Sequence, residues 1–190
     1  MNIKIKGLKI LIFVLLLSLS QLILHIVESS ALQDQDQVKS ALIYNFIKFI
    51  DWPKNRMQSA DDTFCMGIIG RDPMVNTLKM LENKIVKGRK IIFKQYHSSS
   101  EVSYCHVIYI SPSLKEHFVE IHKQLKGKGI LTISHYKGFD KDGGIIDFYI
   151  KDNKFKFIIN NDNAISENLK ISSKLLNLAI VSESGQPEGN

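Results

Sequence analysis

Residues 64–81 read FCMGIIGRDPMVNTLKML. The apolar run Phe64–Gly70 has the length of a buried strand. Asp72-Pro73 then supplies a helix start, a side chain able to accept an orphan N–H followed by a residue whose missing N–H is no loss there. A strand, a turn and a helix through about Leu81 follow. Residues 105–125, CHVIYISPSLKEHFVEIHKQL, have the same direction: an apolar strand Cys105–Ile110, Ser111-Pro112 opening a helix, and Gly127 and Gly129 closing it. Between them Lys90–Tyr96 alternates as a strand, and Ile130–Ser134 reads as a fourth. After the turn Gly138–Gly144, residues 145–150 and 155–160 predict two strands joined at Lys151-Asp152-Asn153-Lys154, where Asp and Asn suit the turn.

Upstream, residues 36–53 place Val38, Ala41, Leu42, Asn45, Phe46 and Phe49 at helical spacing, with Ile43, Ile47 and Ile50 on the flank, until Trp52-Pro53. Downstream, Ser172 caps a helix expected to run to about Val181. Strands alternating with helices, then a hairpin, predict a single layered α/β domain. Its sheet is mixed, with about six strands, helices on both faces and a late antiparallel hairpin.

The chain has 190 residues, 25 Lys plus Arg against 19 Asp plus Glu, and a net charge of +6. Lys4, Lys6 and Lys9 precede or enter an apolar run, LKILIFVLLLSLSQLILHIV over residues 8–27, and Ser29-x-Ala31 has the small residues of a signal-peptidase site. The pattern is that of a secretory signal peptide over residues 1–31, with an uncleaved anchor as the alternative. Cleavage after Ala31 removes three lysines and Glu28, leaving 159 residues with 22 basic and 18 acidic side chains. Cations then alternate with acids, which argues against nucleic acid as a partner. The exported domain is expected over residues 32–182, and the polar end, residues 183–190, reads as a disordered tail.

Two cysteines, Cys65 and Cys105, stand at the starts of predicted strands of equal direction. Neighbouring parallel strands hold facing Cα atoms about 4.8 Å apart, within disulfide range, and export favours the bond. A metal site would need more ligands. A cysteine nucleophile would need a base, and His106 alternates to the other face of its strand.

The remaining chemistry is sparse. His117 and His122 are five apart and share no helical ligand face, so no metal site is expected. Asp140-Lys141-Asp142-Gly143-Gly144 resembles the start of a calcium loop, but its twelfth position is Lys151 rather than Glu. No nucleophile elbow, phosphate loop or dinucleotide fingerprint occurs, and neither an enzyme nor a cofactor is indicated. Arg71 lies where a strand meets a helix start. With Ser111 and His135 it outlines a strand-end crevice for a small ligand, or it is an ordinary turn residue. The first helix is apolar around more of its circumference than one core contact uses, so part of it either faces a partner or is sandwiched.

ALIYNFIKFIDWP (41–53), FCMGIIGRDP (64–73), CHVIYIS (105–111), GKGILTIS (127–134), GFDKDGGIIDFYI (138–150) and FIIN (157–160) followed by LKISSKLLNLAIV (169–181) occur in the order and spacing of the YfiR family. The chain resembles that family over about residues 36–181. The resemblance implies a small periplasmic protein. It would repress an inner-membrane diguanylate cyclase by binding the cyclase's periplasmic part, or bind a comparable receptor, and so lower cyclic di-GMP and biofilm formation. It also implies a redox-sensitive Cys65–Cys105 pair and a possible homodimer. Lys48, Phe49 and Trp52, at the exit of the first helix, are the candidate partner-facing residues. Gly143, Gly144 and Phe148 read as backbone-geometry and core positions. The chain departs from the family in lacking a second Cys pair, in Ile145-Ile146-Asp147 where Met-Asn is usual, and in Glu167-Asn168 where Ala-Gly is usual.

Overall fold

A computed structural model describes residues 35–57, 62–152 and 154–182. The expected signal peptide and tail lie outside the described residues. The chain divides into two compact units, Met1–Val38 and Lys39–Asn190. Of the first, residues 35–38 are helical; the second carries everything else.

The elements follow the sequence patterns in the first two thirds of the chain, except that the helix expected to run to Trp52-Pro53 stops at Phe46, because Ile50 and Asp51 are drawn into pairing with Lys170–Ile171. Helix α1 (35–46) ends in a 3-10 turn, Ile47–Phe49, and passes into a short strand β1 (Ile50–Asp51) and a second 3-10 turn, Lys54–Met57. Then come β2 (Thr63–Ile69), α2 (Met74–Lys79), β3 (Ile85–Val86), β4 (Arg89–Tyr96) and β5 (Val107–Ile110). Asp72 Oδ1 accepts the Met74 N–H at 2.9 Å, as its place before Pro73 predicts. The segment after Ser111 begins as a 3-10 helix, Pro112–His117, and becomes α3 (Phe118–Leu125). Strand β6 (Leu131–Ser134) and the hairpin β7 (Ile146–Lys151) and β8 (Lys154–Asn160) complete the expected strands. Asp152 turns the hairpin at φ +51, the left-handed conformation that two-residue hairpin turns require.

Downstream of the hairpin the structure departs from the sequence pattern. A short helix α4 (Asn161–Ser166), capped by the Asn160 side chain, and a strand β9 (Lys170–Ile171) were not signalled by periodicity. The helix expected over 172–181 is only α5 (Ser173–Leu176), with Ser172 as its cap, and the chain then forms β10 (Ile180–Ser182). Ile180 and Val181 are β-branched and find a parallel partner in β8, so tertiary pairing prevails over helical continuation.

The main sheet has eight strands in the order β10-β8-β7-β6-β5-β2-β4-β3, and β1 pairs with β9 separately. β4, β2, β5, β6 and β7 run parallel, while β3 and β8 are antiparallel to their neighbours β4 and β7. Numbered by chain order, the five parallel strands lie 2-1-3-4-5, so the winding reverses between β2 and β5. Each face of the sheet carries its own core. On one, Ile43 and Phe46 of α1 and Ile47 of the turn that follows meet Met66, Met74, Leu78, Phe148 and Leu175. On the other, Phe118, Ile121 and Leu125 of α3 meet Ile69, Ile108, Phe139 and both cysteines. Gly144 is required in that second layer, because a Cβ there would lie 2.2 Å from the Phe139 ring.

Cys65 in β2 and Cys105 just before β5 are bonded, with Cα atoms 4.7 Å apart and a sequence separation of 40. Closing a loop of that length constrains the unfolded chain by roughly 4 kcal/mol in the chain-entropy description. Reduction, or a Cys65→Ala/Cys105→Ala double variant, is expected to lower Tm by roughly 8–15 °C for a domain this size. A thermal melt with and without reductant checks this, and coincident melts would exclude a stabilising bond.

Candidate functional site

Parallel pairing of β2 with β5 sets the first half of the site, because it aligns the N-terminal ends of both strands beneath the exit of α1. There the chain from Trp52 to Met57 forms a strap. Trp52 is only 7% exposed, and its Nε1 donates to the His106 carbonyl at 3.2 Å. Its ring meets Phe64 edge-on at 5.1 Å. Arg56 donates through Nη2 to the Cys105 carbonyl, and its guanidinium lies 4.2 Å over the Tyr104 ring. Arg89 reaches the Met57 carbonyl. The strap is therefore fastened through Trp52 and Arg56 to the chain entering β5, and through Met57 to β4.

His106 locks this junction. It is fully buried, with its ring stacked on Phe64 at 4.5 Å. Cys65 N–H donates to Nδ1 at 2.9 Å, which leaves the ring proton on Nε2, where the Arg56 carbonyl accepts it at 2.9 Å. The Tyr104 hydroxyl donates to the same carbonyl. A second ring proton on Nδ1 would face the Cys65 N–H. Burial, first of all, lowers the imidazole from 6.5 to about 4, and the nearby Arg56 and Arg89 charges add to the effect. Burial likewise lowers the Arg56 guanidinium from its usual value, countered by Tyr104 and Glu167.

Beside the strap lies a half-open depression of about 270 Å³ lined by Pro53, Asn55, Arg56, Gly127, Lys128, Gly129, Glu167 and Asn168. Glu167 is nearly buried and accepts the Gly127 N–H at 2.7 Å and the Gly129 N–H at 2.9 Å. The Arg56 Nε–H is buried and has no hydrogen-bond partner. Neither Arg56 nor Glu167 was signalled by the sequence as a site residue. The one available cue was Glu167-Asn168 standing where relatives have small residues.

The other end of the sheet differs from the sequence expectation. Arg71 and Ser111 do meet at the reversal between β2 and β5, but the Ser111 hydroxyl donates to the Arg71 carbonyl at 3.0 Å and also lies 2.8 Å from the Ser113 hydroxyl. Gly70, at φ +93, brings the backbone so near that a Cβ would lie 2.8 Å from Leu114 and 2.9 Å from Ser111 Cβ. The Ser111 and Leu114 side chains thus pack closely against the Gly70 backbone at this point. His135 follows β6 and bonds through Nδ1 to the Tyr109 hydroxyl. Among the described residues no group of three or more His, Cys, Asp or Glu side chains is placed to hold a metal.

Strand β7, packed against the loop that precedes it, contains a second perturbed group. Asp147 is 2% exposed, and its Oδ1 has no hydrogen-bond partner. Burial, with Asp140 adding repulsion, raises its carboxyl from 3.8 to about 7, against backbone N–H groups of Phe139 and Gly138 that favour the anion. Asn160 and Asn163 fix the same loop by donating to the Asp140 carbonyl at 3.0 and 3.3 Å. Of the expected partner-facing residues, Lys48 and Phe49 are exposed, whereas Trp52 is turned inward as the strap's anchor.

A profile of the YfiR/HmsC-like family matches residues 36–180. No curated protein matches the chain. Among solved structures, an ABC domain in complex with L-Trp from Streptococcus pneumonia is similar at 11% identity and a TM-score of 0.49, over 73% of this chain and 58% of that one. A conserved domain protein from Vibrio cholerae is similar at 13% identity and a TM-score of 0.48, over 67% of this chain and 57% of that one. The chain thus spans a little under three fifths of either structure.

The two buried titratable groups bias stability in opposite directions with pH. The lowered His106 contributes stability that is complete above 6.5 and lost as pH falls toward 4, roughly 3 kcal/mol in all. The raised Asp147 contributes stability present below about 4 and lost as pH rises toward 7. Asp147→Asn is therefore expected to stabilise the protein at pH 7.5 by roughly 1–3 kcal/mol and to unmask the rise of stability from pH 4 to 6.5 that His106 produces. Urea unfolding of both proteins between pH 4 and 8 measures this; parallel curves would contradict it.

Proposed function

The chain belongs to the YfiR/HmsC-like family, and from that premise we propose that it is a non-enzymatic, exported regulator. In this reading it binds the periplasmic domain of an inner-membrane diguanylate cyclase and restrains cyclic di-GMP synthesis and biofilm formation. The observation that carries the reading is the family match over nearly the whole described domain. The arrangement of the disulfide and the strap supports it. Lys48 and Phe49, proposed as partner contacts, are exposed on the same few residues whose continuation, Trp52 to Arg56, is fastened to Cys105 and His106.

Repression would work by occupancy. A protein that binds only the inactive arrangement of the cyclase shifts its population by the difference in affinity for the two states. Reduction of Cys65–Cys105 would weaken the free regulator and loosen the strand ends that hold the strap, so the redox state becomes an input.

One observation favours a second reading, a periplasmic small-molecule sensor. The depression beside Arg56 combines a cation, an anchored carboxylate and an unpartnered buried N–H, features of a site for a small polar ligand. It lies away from the Arg71, Ser111 and His135 end of the sheet. In this reading ligand occupancy would act on the strap through Arg56.

The mature domain, oxidised and reduced, is to be used as bait against solubilised inner membrane, with mass spectrometry of what it retains. Recovery of a diguanylate cyclase by the oxidised form is the expected result. Retention of no membrane protein in either state, together with a Tm shift on ligand screening, would replace the regulator reading with the sensor.

A further inference from the structure

The regulator reading leaves open what kind of surface the protein docks onto. Two elements distant in sequence meet at Tyr44 and at Asp51, on either side of Phe49 in the chain. The Tyr44 hydroxyl, on α1, donates to the Ile85 carbonyl of β3 at 2.9 Å. Lys48 Nζ lies 4.0 Å and Lys84 Nζ 5.3 Å from the Tyr44 ring centroid, so two ammonium groups share one aromatic ring. Phe49 is 43% exposed and Ile85 58% exposed. A few residues on, the Asp51 carboxylate is well exposed, is bonded to Lys87 at 2.8 Å, and stands opposite Lys170 in the β1–β9 pair.

We propose that the exit of α1 and the β3–β4 hairpin form one docking surface for an acidic protein face. Phe49 and Ile85 enter apolar sockets on the partner, and Lys48 and Lys84 meet carboxylates beside them. The inference rests on the regulator reading and adds the chemistry of the partner. Two features set it apart from an ordinary solvated surface. Aromatic and large aliphatic side chains are exposed next to cations whose positions are already fixed: Lys48 is also bonded to Asn45 Oδ1 at 3.2 Å. Pre-placed side chains lose little entropy on binding, and apolar anchors ringed by charge have the composition of an interface. Asp51 is already paired with Lys87, so Lys48 and Lys84 leave this surface net positive. Two point charges set beside two apolar anchors are complementary to carboxylates at matching fixed positions, which a folded acidic face supplies and a fluid anionic bilayer does not.

The test uses the mature domain and the purified periplasmic domain of the cyclase recovered with it. Affinity and association rate are measured at 50 and 300 mM salt for wild type, Lys48→Glu/Lys84→Glu, Phe49→Ala, and a distant control, Lys156→Glu on β8. Sedimentation with phosphatidylglycerol vesicles runs in parallel. The expected result is at least tenfold weaker binding for Phe49→Ala and for the charge reversal. The reversal should act mainly through slower association and a reduced salt dependence, with the control unchanged. Melting curves establish that the variants fold, and Lys48→Ala/Lys84→Ala should show the same effect at smaller size. Wild-type binding that all variants retain would overturn the surface and leave the regulator reading standing. Wild-type capture by vesicles, lost on charge reversal, would make the occupant a membrane instead. Binding to neither the cyclase domain nor vesicles would overturn both the surface and the reading it rests on.

Discussion

The side-by-side parallel pairing of β2 and β5 is the constraint on which the rest of this structure depends. It brings Cys65 and Cys105 into bonding distance, and it points the Cys65 N–H at the His106 ring. It also exposes the Cys105 and His106 carbonyls to the strap, where Arg56 and Trp52 use them. A disulfide alone would tie two strand ends together. Here Cys105 is also a backbone anchor for the segment that leaves α1, and Cys65 holds the His106 ring that bonds the same segment, so one covalent bond and a set of hydrogen bonds hold the same junction.

That junction is built from polar groups inside an apolar surround, a costly arrangement unless every partner is present. His106 satisfies the requirement in its neutral form: one nitrogen accepts, the other donates, and Phe64 covers the ring. The depressed basicity of the imidazole follows from this geometry. Asp147, on the other face, is the converse case. It is a buried carboxyl with one oxygen unpartnered and another aspartate nearby, and it holds its proton to nearly neutral pH. Both groups trade stability against pH, and they do so from separate cores.

The two-sided burial of the sheet explains where an interaction surface remains. α1 and the later helices occupy one face and α3 with the Phe139 loop the other, so the faces of the central strands are closed. At the winding reversal, a common ligand position in such sheets, Ser111 and Leu114 pack closely against Gly70. Among the described residues, the depression beside Arg56 lies at the other end of the sheet and the exposed surface around Phe49 at its edge.

Local patterns in the sequence were enough to determine the strand-and-helix units, the caps at Asp72, Ser111 and Ser172, the late hairpin, and the pairing of the two cysteines. Each of these depends on residues close in sequence, or on strands whose direction the pattern already implied. Residues 36–181 also carried the family resemblance. Only the tertiary structure decided that Ile180 and Val181 extend the sheet instead of a helix, because that choice required β8 as a neighbour. Only it turned Trp52 inward, placed Arg56 against Cys105 and Glu167 under Gly127 and Gly129, and set Lys84 beside Tyr44. Those contacts join positions some 30 to 55 residues apart. Periodicity and capping report on a side chain's neighbours along the chain, and these side chains are defined by neighbours that only folding supplies.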